Sequence, residues 1–154
     1  MDSLMTQLQE TRVGQHAKQL TAVAAYEDAN TDTRVNDFCR TLATSLGNKC
    51  EVTRHMWLLN ELRMPELRAI AAGEAAEADL IIISVHHSDA LPSEVKDWIE
   101  TWLARKKDHP DVILALFDPL YKGDSSSIRS YLEEVARRGK MRCFVQSEDN
   151  FDDR

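Results

Sequence analysis

The stretch LIIISVHHSD, residues 80–89, decides the fold. Leu80 to Val85 is an unbroken apolar-rich run that stops abruptly at two histidines, a serine and an aspartate. A strand covered on both faces reads as such a run, whereas a strand with one wet face alternates. Val112 to Phe117 is a second unbroken run, and Leu20 to Tyr26 is nearly one. Two further segments alternate. Cys50, Val52 and Met56 point one way and Glu51, Thr53 and His55 the other. Met141, Cys143 and Val145 alternate with Arg142 and Phe144.

Between these segments the apolar period changes to that of a helix. From Asp32 to Leu46, Val35, Phe38, Cys39, Leu42 and Leu46 share one face, and Gly47 stops the run. After Pro65, the residues Leu67, Ile70, Ala71, Ala75 and Ala78 form a second stripe. Val95, Trp98, Ile99, Trp102 and Leu103 form a third, entered through Pro92, Ser93 and Glu94. Ile128, Tyr131, Leu132 and Val135 form the fourth, with capping residues from Asp124 to Ser127 before it and Gly139 after it. Five strands alternating with four helices predict an α/β three-layer sandwich: a five-stranded parallel sheet with helices on both faces. The alternating strands two and five belong at the edges, which gives the order 2-1-3-4-5.

The chain of 154 residues fits one domain. The expected division is a tail or short helix over 1–18, the domain over 19–147 and an acidic tail over 148–154. A net charge of −7 opposes nucleic acid and anionic membranes as partners, since both need clustered Lys and Arg. The basic run Arg105-Lys106-Lys107 falls near a helix end, where cations suit the dipole. Three cysteines, Cys39, Cys50 and Cys143, without close pairs point to reduced thiols. With no apolar leader in the first twenty residues, a cytoplasmic address is expected. No run of 18 apolar residues is present, so no membrane span is expected.

In a sheet of this order ligands bind beyond the carboxyl ends of the strands, near the switch point between strands one and three. The segments expected there are 27–33, 86–92 and 118–124. His86, His87 and Ser88 therefore stand at the correct end of strand three, with Glu27, Asp28 and Asp118 from the neighbouring loops. Adjacent histidines on extended chain point to opposite sides, and no second His or Cys pair has ligand spacing, so no metal site is expected. An imidazole there has the chemistry of an acid or base, but no nucleophile is identifiable beside it.

Over roughly Leu20 to Val145 the chain resembles the flavodoxin-like superfamily. DLIIISVHHSDALPSEVKDWIETWL is similar to that family's third strand, flavin-side loop and third helix. DVILALFDPLYKGDSSSIRSYLEEVARRGKMRCFV is similar to its fourth strand, second flavin-side loop, fourth helix and last strand. The resemblance implies flavin mononucleotide (FMN) as the cofactor to consider, with its phosphate held by the loop after strand one and Tyr121 stacked on the ring. In this chain that loop reads EDANTDTRVND. Asn30, Thr31 and Thr33 echo the family's hydroxyl-rich loop, but both glycines are missing and Glu27, Asp28 and Asp32 are present. Carboxylates so near a dianionic phosphate repel it by about 1 kcal/mol or more per close pair, even in a wet site. A weaker similarity links Glu27 and Asp28 to the acidic pair of receiver domains. Ser84 and Gln146 stand where a receiver has its phosphoacceptor aspartate and its lysine.

The expected function is a binding or regulatory module for a small molecule or protein, without an intact flavin phosphate loop. The alternative is an FMN-binding electron-transfer protein or NAD(P)H-dependent flavin reductase. A hydrolase or transferase using His86 or His87 with Asp118 is a third reading.

Overall fold

The computed structural model describes residues 19–46, 51–85, 90–117 and 126–146. Strand β1 spans Gln19–Tyr26, helix α1 Ala29–Leu46 and strand β2 Glu51–Leu58. A 3-10 turn, Glu61–Arg63, leads to α2, Pro65–Ala76, and β3, Leu80–Val85. Then follow α3, Ser93–Arg105; β4, Val112–Phe117; α4, Ser126–Gly139; and β5, Arg142–Gln146. The strands form one sheet, all pairs parallel, in the order β2-β1-β3-β4-β5. This is the architecture expected from the apolar runs. The tails at 1–18 and 148–154, the strand position Cys50 and the stop at Gly47 lie outside the described residues.

The pleat sorts the central strands between two cores. Val23, Ala25, Ile81, Ile83, Val85, Ile113, Ala115 and Phe117 face α2, α3 and α4. Leu20, Ala22, Ala24, Leu80, Ile82, Val112, Leu114 and Leu116 face the other side, where α1 supplies Val35, Phe38, Cys39 and Leu42. Both alternating sets are buried, which is why β3 and β4 read as continuous apolar runs. The edge strands are half-buried. Val52 and Met56 of β2 reach the α1 core, while Trp57 packs against the other core and donates its indole N–H to Glu74 Oε1 at 2.7 Å. In β5, Cys143 and Val145 pack on one side and Phe144 on the other.

One helix detail departs from the sequence reading, and a second gives the cause of a helix end that was read correctly. The inner face of α2 is Ala71, Ala72 and Ala75, and Ile70 is 55% exposed rather than part of the stripe. Three small side chains bring the helix close to its neighbours, and one residue's rotation of about 100° carries Ile70 off that face. At the end of α4 the left-handed position is Lys140, with φ 57°, and not Gly139. Met141 N–H donates to Ala136 O at 2.8 Å and Lys140 N–H to Arg137 O at 3.4 Å, the paired bonds of a Schellman close. Gly139 serves packing instead. A Cβ there would sit 2.7 Å from Leu103 Cδ1 and 3.1 Å from Met141 Sδ.

On α3, Trp98 and Trp102 are fully buried and meet edge to face with ring centroids 6.2 Å apart. Replacing Trp98 with alanine is expected to cost about 3–5 kcal/mol by urea titration; a loss under about 1 kcal/mol would contradict its core position. Lys140→Gly removes the penalty of a left-handed side chain and is expected to gain about 1 kcal/mol in the same measurement.

Candidate functional site

Parallel pairing brings the carboxyl ends of β1, β3 and β4 side by side. Tyr26 lies opposite Ser84, and Val85 opposite Phe117. The chain leaves β1 through only two residues, Glu27 and Asp28, before α1 starts at Ala29. The sequence placed Asn30, Thr31 and Thr33 in a loop; the structure places all three in the first turns of α1.

The early start has a local cause. Asp28 caps the helix: Thr31 N–H donates to Asp28 Oδ1 at 3.1 Å. Thr31 Oγ1 reaches back and accepts from Glu27 N–H and Asp28 N–H, each at 2.8 Å. Its own hydroxyl proton goes to Asp28 O at 3.0 Å. Asp28-x-x-Thr31 thus closes a reciprocal capping box, with threonine in the place usually held by Glu or Gln. Asp32 N–H completes the turn on Asp28 O at 2.9 Å. Thr31 is fully buried, and its carbonyl accepts the buried hydroxyl of Ser84 at 3.0 Å. Thr33 Oγ1 donates to Ala29 O at 3.0 Å, and Asn30 is exposed.

The carboxylates of Asp32 and Glu61 stand near the end of β1. Tyr26 ends β1 half-buried, and its phenol is pushed above its ordinary range by burial and by the carboxylates of Asp32 and Glu61. Glu61 Oε1 accepts Leu58 N–H at 2.8 Å, so the turn after β2 is tied to the same edge. Leu59 N–H donates to Tyr26 O at 2.8 Å and extends the β1–β2 ladder to this point. Tyr26 and Glu61 were not singled out in the sequence, and Ser84 only as the residue at a receiver's phosphoacceptor position; Glu61 carries no signal before the turn is known.

The structure brings together Glu27, Asp28, Asn30, Thr31 and Thr33. The other residues singled out, His86, His87, Ser88, Asp118 and Tyr121, lie outside the described residues. Among the described residues, no group of three or more His, Cys, Asp or Glu is placed to hold a metal ion. No helix among them is long and apolar enough to cross a membrane. Cys39 and Cys143 are both free thiols, each pushed up to about 11, chiefly by burial.

No protein-family model matches the chain, and no curated protein does. Among solved structures, a short-chain flavodoxin associated with a non-canonical PDU bacterial microcompartment is similar. The TM-score is 0.55 at 14% identity, covering 84% of this chain and 82% of that one. The likeness supports a flavodoxin-like fold, in agreement with the strand order.

Thr31→Val keeps the shape but strips the acceptor from two backbone N–H groups. A loss of about 1–3 kcal/mol is expected, with faster amide exchange at Glu27 and Asp28; unchanged exchange would contradict the capping box. Folding raises the Cys39 thiol from 9.0 to about 11, so its contribution is complete below pH 9 and fades as pH rises toward 11. Urea midpoints should therefore fall between about pH 8 and 10.5, and fall less in Cys39→Ala.

Proposed function

We propose that the chain is a ligand- or protein-binding regulatory module on a flavodoxin-like scaffold, using an acidic carboxyl-edge surface in place of a flavin phosphate cradle. One observation carries this reading. The N–H groups of Glu27, Asp28, Thr31 and Asp32 are committed to Thr31 Oγ1, Asp28 Oδ1 and Asp28 O. A phosphate loop works by leaving such N–H groups pointed at the anion. Here an incoming phosphate would have to displace Thr31 Oγ1 and then face Glu27, Asp28 and Asp32. The surface suits a cationic or neutral partner better than a phosphate. Among the described residues, Cys39 and Cys143 add no readily ionised nucleophile, because burial favours their protonated form.

The alternative is an FMN-binding electron-transfer protein or flavin reductase. The structural likeness to a flavodoxin favours it. The two readings separate in a fluorescence titration of FMN against the purified chain. The module reading expects no saturable quenching up to about 100 μM flavin, whereas binding at about 1 μM would replace it with the flavin reading.

A further inference from the structure

The sheet ends at β5, whose far side meets no strand among the described residues. Edge strands are commonly blunted by lysine, proline or a bulge. β5 reads RCFVQ in unbroken register with β4 and has none of these. Cys143, Phe144 and Val145 are three consecutive half-buried apolar residues on it. The backbone shows which groups face outward. The N–H and C=O of one strand residue point to the same side, and those of the next residue to the other. Arg142 N–H donates to Asp111 O at 3.0 Å, toward β4. Phe144 and Gln146 share that direction in the parallel register, so Cys143 and Val145 turn their N–H and C=O away from the sheet.

These outward groups match a second copy of the same strand. Two β5 strands laid antiparallel about a twofold axis at Phe144 set Cys143 opposite the partner's Val145, and Val145 opposite the partner's Cys143. Both are positions of hydrogen-bonded pairs, so the outward N–H and C=O groups satisfy one another. Phe144 meets the partner's Phe144 as the closer, non-hydrogen-bonded pair, and Arg142 falls opposite the partner's Gln146 rather than its own copy. The Arg142 guanidinium already lies over the Phe144 ring, 5.4 Å from its centroid, and can cover the paired rings. On the other face, burial and Glu133 raise the Cys143 thiol and Arg129 lowers it, so α4 holds one anion and one cation near this edge. The axis sets the two α4 helices antiparallel and brings Arg129 toward the partner's Glu133. The opposite edge lacks this match. The middle of β2 is Arg54 and His55, so a register centred there sets like side chains on the axis.

We propose that the protein forms a twofold-symmetric dimer through β5, joining the two sheets into one. The contact is isologous and closed, so it stops at two copies. It is independent of the carboxyl-edge reading: the antiparallel pairing puts the two carboxyl edges at opposite ends of the joined sheet and leaves both open.

The test is amide hydrogen exchange by NMR on the full wild-type chain at about 20 μM and about 500 μM, a range that brackets micromolar dissociation constants. The Cys143 and Val145 amides should exchange more slowly by about threefold or more at the higher concentration, while Phe144, bonded to β4, stays protected at both. Sedimentation velocity should show the mass doubling over the same range, with no larger species. Phe144→Lys and Phe144→Glu should each stay monomeric, and their equimolar mixture should dimerise. Val145→Pro removes an outward N–H, spares the β4 ladder and should also stay monomeric. Thermal melts check that the variants fold, and the wild-type exchange reading does not depend on them. A wild type that stays monomeric overturns the proposal and leaves the edge to a strand from another protein. Protection of Cys143 and Val145 at both concentrations also overturns it, since the edge would then be occupied within one chain. So does a dimer in which these amides stay open, which would assign the contact to another face, and so does a mixture of folded charge variants that fails to dimerise.

Discussion

Burial of β1, β3 and β4 on both faces is the constraint from which the rest follows. A strand with no wet face must have all its backbone groups paired along the sheet and helices above and below it. Helical crossovers make the strands parallel, and parallel strands deliver every following turn to one edge. That edge is therefore fixed before any functional residue is considered. Ser84 shows how strict the condition is. It is a hydroxyl at a fully buried position of β3, and it is accommodated by donating to Thr31 O on α1. The same bond joins the end of the third strand to the first turn of the first helix, next to the point where the strand order reverses.

This constraint made the architecture legible. Unbroken runs marked β3 and β4 as central, and alternation marked β2 and β5 as edges; the observed order follows from that contrast. Helix phase was less legible where side chains are small. In α2 the buried face consists of alanines; Ala71, Ala75 and Ala78 of the inferred stripe are buried, but Ile70 was wrongly added to it and Ala72 left out. The close of α4 at Gly139 was legible, but its cause was not: the left-handed residue is Lys140, and Gly139 is small because Leu103 and Met141 crowd it. Pattern reading registers residue types, whereas crowding depends on distant partners.

The carboxyl edge was legible in place but not in bonding. Glu27, Asp28 and the threonines were visible as a polar segment, and their acidity argued against a phosphate. Which hydroxyl faces solvent and which is spent on the backbone was not visible. Asp28 and Thr31 have the spacing of a capping box, but Thr is an uncommon third-position partner, and the segment's likeness to a hydroxyl-rich loop favoured the longer loop. The geometry reverses the meaning of Thr31. Its hydroxyl accepts two N–H groups and donates one proton, which leaves little capacity for a ligand.

The capping box and the anion cradle are competing uses of one set of donors. A helix start has a few unpaired N–H groups, and each can be aimed at a ligand or satisfied from within the chain. Glycine favours the first outcome because it lets the backbone open around an anion; Asp at the cap favours the second because its carboxylate is itself the anion. Here the internal solution also anchors β3 through Ser84, so opening the turn for a ligand would disturb a buried bond as well as an exposed one. Conversion to a phosphate site would therefore require more than replacing Glu27, Asp28 and Asp32. It would require releasing the N–H groups of Glu27 and Asp28 from Thr31 Oγ1, and any movement of Thr31 would also disturb its carbonyl's buried bond from Ser84.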